Sequence, residues 1–212
     1  MIDKNDLGQR FSAIKLDASC FPEALKILTG AFRNDPMITH MFPQGSRAKD
    51  PHSFFEFLLM KSILLNEMLF GLELDGKLVA VANLEAPIHE KPGVSQIGAF
   101  IYQCLRLIFR LPFRSFIFIN NYMKSVISAR PKRPHHYLIF IGVDPDYQGK
   151  GCGRLMLEHV HSLVDNHPAS SGIGLDTENP ENVHLYEHFG YRLTATEVLG
   201  PVKIYNMFRT KV

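Results

Sequence analysis

The chain has 212 residues, 46% of them hydrophobic and 21% charged, a length and balance that suit one folded domain with its own core and exclude a largely disordered chain. No apolar run reaches the roughly 18 to 20 residues that cross a bilayer, and the start Met1-Ile2-Asp3-Lys4-Asn5-Asp6 lacks the apolar stretch of a signal peptide. The net charge of +2 is unevenly spread: residues 91–143 hold eight Lys or Arg and no Asp or Glu, so the remainder carries −6. Such a block favours anionic partners without choosing among phosphates, acidic lipids and nucleic acid. Cys20, Cys104 and Cys152 are odd in number and far apart, which points to reduced thiols in a cytoplasmic protein.

In chain order, residues 11–16 alternate weakly and predict a short strand. Ala24, Leu25, Leu28, Ala31 and Phe32 keep the helical i, i+3, i+4 rhythm over 21–32. Asn34-Asp35-Pro36 interrupts it, and Pro43-Gln44-Gly45-Ser46 predicts a loop. A second helix is expected at 54–65. Asp75-Gly76 between two apolar runs predicts a hairpin with a tight primed turn. The basic block then reads as two helices, with Ile97, Phe100, Ile101, Cys104, Leu105 and Ile108 on one face of the first. Phe116, Ile119, Met123, Val126 and Ile127 form the face of the second, and Pro112 separates the two.

Residues 136–143 are apolar, aromatic and β-branched, as a buried central strand would be. A helix follows from Gly151, then a strand at 173–177, a helix at 181–188 closed by Gly190, and strands at 191–198 and 202–208. The expected fold class is a single α+β domain with a mixed sheet.

The most informative stretch joins the apolar strand to the next helix: Val143, Pro145, then Gln148-Gly149-Lys150-Gly151-Cys152-Gly153-Arg154. Alternating glycines free the backbone to turn several N–H groups toward one point, and the helix N-terminus adds orphan N–H groups and partial positive charge. Together they predict a pyrophosphate cradle with Lys150 and Arg154 at its rim. Lys150 is followed by glycine, which departs from the P-loop pattern, and G-x-G-x-G departs from the dinucleotide fingerprint.

What remains, Q-x-x-G-x-G, resembles the pyrophosphate loop of the GNAT superfamily of acetyl-CoA-dependent N-acetyltransferases. The resemblance continues through Asn179-Pro180-Glu181-Asn182-Val183-His184-Leu185-Tyr186-Glu187-His188-Phe189-Gly190-Tyr191, which is similar to that family's second signature, N-x-x-x-Y-E-x-x-G-[FY]. It is firm over about residues 131–209 and architectural over 11–130. Arg130-Pro131-Lys132-Arg133-Pro134 and Leu175-Asp176-Thr177 look most like the puromycin N-acetyltransferase-like subgroup, where Asp176 replaces a more usual Glu. The resemblance implies a central, mixed, splayed sheet flanked by helices. It divides the domain into an N-terminal strand, helices and hairpin (11–93), a basic helical segment (94–133) and an acetyl-CoA-binding core (134–212).

The resemblance also implies roles. Backbone groups of Ile141, Gly142 and Val143 would pair with the pantetheine arm of acetyl-CoA, and N–H groups from Gln148 through Gly149, Lys150, Gly151, Cys152 and Gly153 to Arg154 would hold its pyrophosphate. Asn179 or Asn182 would hydrogen-bond the co-substrate, and Tyr186 would protonate the departing thiolate. Many family members carry a Glu base on the central strand. Here those positions are Leu138, Ile139, Phe140 and Ile141, so the base must come from elsewhere: Glu85, Asp176, Glu178, His135 or His136.

The expected activity is acetyl transfer to a primary amine of a small molecule, without metal, nucleic acid or a membrane-spanning segment. Acetylation of a protein amine and a non-catalytic acyl-CoA-binding module are the alternatives. A basic protein that docks on membrane or nucleic acid is a third. Cys152 reads as a small residue fitting the loop, and His184 and His188 as surface histidines rather than half a metal site. The apolar residues of the basic helices suggest a lid over an acceptor pocket or a homodimer face.

Overall fold

The computed structural model describes residues 11–43, 51–88 and 92–212. The N-terminal hexapeptide, the loop expected at residues 44–46 and Lys91 lie outside the described residues. Strands β1 (Phe11–Lys15), β2 (Met68–Leu74), β3 (Lys77–Glu85), β4 (His136–Val143), β5 (Gly172–Thr177), β6 (Arg192–Leu199) and β7 (Val202–Thr210) form one sheet of order β1-β2-β3-β4-β5-β7-β6. All neighbours are antiparallel except β4 and β5, which run parallel.

Asp75 and Gly76 both have positive φ, +51° and +77°, the primed turn that the Asp-Gly pair predicts. Alternation along β3 then sorts the core. Val81 joins a cluster with Leu28, Phe55, Leu59 and Phe140 on one face. Ala80 and Ala82 join Met156, Val160, Ile173 and Met207 on the other. Helices α1 (Phe21–Ala31), α2 (Pro36–Met41), α3 (His52–Leu64) and α5 (Phe113–Ala129) supply the first cluster, and α6 (Cys152–Asn166) with α7 (Pro180–His188) supplies the second.

Asp35-Pro36, expected as an interruption, starts α2: the Asp35 carboxylate accepts from the N–H groups of Met37 and Ile38 at 2.9 and 3.1 Å, with Pro36 in the first turn where its missing N–H costs nothing. Helix α4 (Val94–Arg110) has no fully buried residue; Ile101 and Leu105, on the face that the spacing marks as apolar, are about half exposed. In α5 the buried positions are Ser115, Phe118, Tyr122 and Val126, so Phe116, Met123 and Ile127 are not core. The reason lies in a cavity beneath both helices, described next. No helix among the described residues is long and apolar enough to cross a membrane.

Candidate active site

The site begins where two strands part. β4 and β5 pair only through His136–Ile173, Tyr137–Gly174 and Leu138–Leu175. On the other side of β4 the register slips between Asn83 and Leu84, which face Phe140 and Leu138 and leave Ile139 out. A bulge of this kind bends the strand that carries it. From Ile139 to Val143 the edge of β4 that faces β5 is therefore open. Among the described residues the Val143 carbonyl is engaged, accepting from Gln148 Nε2 at 3.1 Å.

The chain then turns through the glycine loop into α6. Gly149 and Gly151 sit at φ +72° and +87° with open space where a Cβ would stand, so these positions require left-handed backbone rather than room. Gly151 is the N-cap of α6 and receives no side-chain cap. Among the described residues, no N–H from Gly149 to Arg154 donates to a backbone oxygen. These donors, at the positive end of a 15-residue helix, form an anion cradle. Lys150 donates to the Asp146 carbonyl at 2.7 Å, and Arg154 pairs with Glu158 at 2.7 Å, so both cations stand beside the loop, tethered. Cys152 is buried and burial raises its thiol pKa, which leaves it as packing rather than a reactive group.

A cavity of about 420 Å³ lies on the sheet face below α3, α4 and α5, and its wall includes Ile139 and Ile141 from the open β4 edge together with Asn182 and Tyr186 from α7. Seven phenylalanines line it, joined by Cys104, Leu107 and Ile108 of α4 and by Phe116, Ile119, Tyr122, Met123 and Val126 of α5. The apolar face of α5 meets this cavity. α4 presents Phe100, Cys104 and Ile108 of its expected face to it together with Leu107, while Ile97, Ile101 and Leu105 of that face lie outside the wall.

Three carboxylates reach the cavity from three elements: Asp35 at the N-cap of α2, Asp176 on β5, and Glu178 just after β5. Asp176 accepts from the Tyr137 hydroxyl at 2.5 Å, and the Tyr122 hydroxyl lies against both Asp176 and Glu178, 2.5 Å from the latter. The single hydroxyl proton of Tyr122 can be donated to one of these carboxylates at a time. Burial, then the charges of Asp176 and Asp35, push Glu178 well above the usual carboxylate range. Burial also raises Asp176, opposed by Tyr122, Tyr137 and Arg130.

Tyr186 is 8% exposed and lines the same cavity; no described residue hydrogen-bonds its hydroxyl. Burial, then Asp176 and Glu178, raise its pKa and keep it protonated.

The other expected residues fall as follows. Asn182 lines the cavity and donates to the Thr177 hydroxyl at 3.2 Å, whereas Asn179 caps α7 by accepting from the Glu181 N–H at 3.0 Å. Glu85 is not in the cavity wall; it pairs with Arg130 at 2.8 Å, and Arg130 stacks 3.5 Å from the Tyr137 ring centre. His135 is held by the Arg133 carbonyl, and His136, its pKa lowered to about 4 by burial and then by His167 and His135, bonds to Ser170. Both histidines lie outside the cavity wall. His188 donates from Nδ1 to the His184 carbonyl and His184 faces Glu187; among the described residues no group of His, Cys, Asp and Glu is arranged to hold a metal ion. Asp35, Tyr122, Arg130 and Tyr137 were not singled out by the sequence, because nothing in their local spacing marks residues that converge only in three dimensions.

The known proteins similar to this chain agree with the geometry. The Acetyltransferase (GNAT) family matches residues 32–191. A mycothiol acetyltransferase of Propionibacterium freudenreichii subsp. shermanii is 36% identical over 72 residues, covering 31% of this chain and 22% of that protein. One from Thermobifida fusca is 38% identical over 60 residues, 28% of this chain and 19% of that protein. The chain thus matches about a fifth of the length of these curated relatives. Among solved structures, a histone acetyltransferase HPA2 and related acetyltransferase from Corynebacterium glutamicum superposes with TM-score 0.66 at 19% identity, covering 96% of this chain and 97% of that one. An agmatine N-acetyltransferase superposes with TM-score 0.65 at 15% identity, covering 95% and 99%; at these identities the likeness is one of fold. Since the family match spans well over half of the sequence, the chain belongs to the Acetyltransferase (GNAT) family.

Proposed function

We propose that this chain transfers the acetyl group of acetyl-CoA to a primary amine of a small molecule by direct attack, with both substrates bound together. One observation carries the reading: the open edge of β4 lines the same cavity as Tyr186, Asp176 and Glu178. The residues present suit acetyl-CoA. The N–H cradle of Gly149 to Arg154 matches a pyrophosphate, and the unpaired edge from Ile139 to Val143 matches an amide-bearing arm. Acetyl-CoA supplies the thioester.

The chain's own groups then manage protons. Glu178 takes a proton from the bound ammonium, which frees the nitrogen lone pair. The nitrogen bonds to the thioester carbonyl carbon, the carbon–sulfur bond breaks, Tyr186 protonates the leaving sulfur, and the second proton lost by the nitrogen as it becomes an amide restores the Tyr186 hydroxyl. Tyr122 and Tyr137 position Asp176, and burial, then the charge of Asp176, holds the Glu178 pKa above the usual carboxylate range, as a general base requires. Glu85 acts here as the partner of Arg130 and takes no proton from the substrate. An alternative in which the chain only binds acyl-CoA drew its support from the missing strand Glu; Glu178 in the cavity removes that support.

Titration with acetyl-CoA, followed by thiol release with a panel of amines, tests the reading. Binding with amine-dependent release is the expected result. Absence of binding overturns the assignment of the loop, and binding without release for any amine overturns the catalytic one.

A further inference from the structure

We infer that the acceptor is a singly charged primary amine with an apolar alkyl or aryl body, its ammonium held at the carboxylate end of the cavity and its body along the phenylalanine wall of α3, α4 and α5. This deepens the proposed function and rests on it.

The argument is one of charge and surface. Two cations, Lys61 and Arg130, also line the cavity, but each is paired with a carboxylate outside its wall, Lys61 with Glu67 and Arg130 with Glu85. The three carboxylates in the wall meet tyrosine hydroxyls and backbone N–H groups instead of a paired cation. The interior is thus short of positive charge at one end. These carboxylates are not arranged to hold a metal ion, and an ammonium placed among them would relieve their mutual repulsion.

Away from that end the wall is almost wholly apolar. Phe57 and Phe100 approach to 6.2 Å between ring centres, Cys104 and Leu107 continue the same face of α4, and Phe116 and Met123 stay about 40% accessible although they line the cavity. Apolar surface kept open to solvent within a cavity of drug-like volume is what a hydrophobic ligand covers. The cavity-lining side chains of α3, α4 and α5, apart from Lys61, Cys104 and Tyr122, carry no hydrogen-bonding group for a second cation or a peptide backbone. A diamine or a polypeptide would bury polar groups there without hydrogen bonds.

The test is a homologous series of linear amines from ethylamine to octylamine, set against agmatine and spermidine, with thiol release as readout. The inference predicts that kcat/KM rises roughly three- to four-fold per added methylene, the increment of one buried CH₂, and that both polyamines fall well below octylamine. Cys104→Trp should flatten the rise for the longer amines, with acetyl-CoA affinity as the control for an intact fold. A flat series, or polyamines equal to octylamine, overturns the inference while leaving acetyl transfer intact.

Should no amine turn over, a direct reading remains. Octylamine should slow alkylation at Cys104 by maleimide, followed by peptide mass mapping, and ethylamine should not. Equal alkylation rates with both amines overturn the apolar subsite whatever the state of the chemistry.

Discussion

The loop that ends β4 and the wall made by α3, α4 and α5 border one site but are built differently. The loop offers backbone: Gly149 and Gly151 hold left-handed angles, and among the described residues no N–H from Gly149 to Arg154 donates to a backbone oxygen. The wall offers side chains, and α4 buries none of its residues fully. Backbone recognition needs particular residues at particular spacings and suits the constant part of two substrates. Side-chain recognition needs only shape and apolarity and suits the variable part. One edge of the cavity is therefore fixed by the family's chemistry and the other is free to choose an acceptor.

Changes in the loop should be severe and independent of the amine. Gly151→Asp puts an anion beside the cradle. Asp tolerates left-handed backbone better than most residues, so the fold should persist while acetyl-CoA affinity drops by roughly 100-fold or more, since like-charge juxtaposition costs several kcal/mol. Calorimetric titration against an unchanged circular dichroism spectrum checks this. Retained affinity would place the pyrophosphate elsewhere and dissolve the distinction between the two regions.

Tyr186→Phe sharpens the comparison, because in the proposed mechanism the hydroxyl serves chemistry and not affinity. We expect kcat to fall by roughly 100-fold, within the range for a positioned acid, with acetyl-CoA affinity little changed. An unaltered kcat would remove Tyr186 from the acid role.

Glu178→Gln should lower kcat/KM by roughly 10- to 100-fold and abolish the rise of activity with pH that a base of raised pKa produces. Stability should move the other way. The folded-state pKa of Glu178 lies above its unfolded value, so its contribution to stability is present at low pH and is lost as pH rises through the folded-state pKa. Removing the ionisable group should thus raise the thermal midpoint more at pH 8 than at pH 5, and the reverse order would contradict the raised pKa.

The acceptor wall should yield the smallest effects, confined to particular amines, as with Cys104→Trp above.

The same contrast explains what the sequence discloses. Asp75-Gly76 and the glycines of the loop are legible because only a few residue types accept positive φ. The open β4 edge was expected only through resemblance, since no residue type marks a missing strand partner. Asp35-Pro36 was ambiguous: the pair that breaks one helix also caps the next. The periodicity of α4 and α5 showed that each helix has an apolar face. It could not say whether a core or a cavity lies beneath, because phenylalanines lining a ligand site obey the same spacing as phenylalanines in a core. The base was the least legible part. Glu178 becomes a candidate only when Asp35, Tyr122, Tyr137 and Asp176 arrive around it from separate elements.

The most direct test of the account is a two-substrate kinetic measurement of thiol release, varying acetyl-CoA and octylamine together. Direct attack within one cavity predicts release that needs both substrates and initial-rate lines that intersect in double-reciprocal form. Parallel lines would require an acetylated enzyme, and thiol release that ignores the amine would leave no role for the carboxylates opposite Tyr186; either result would contradict the account.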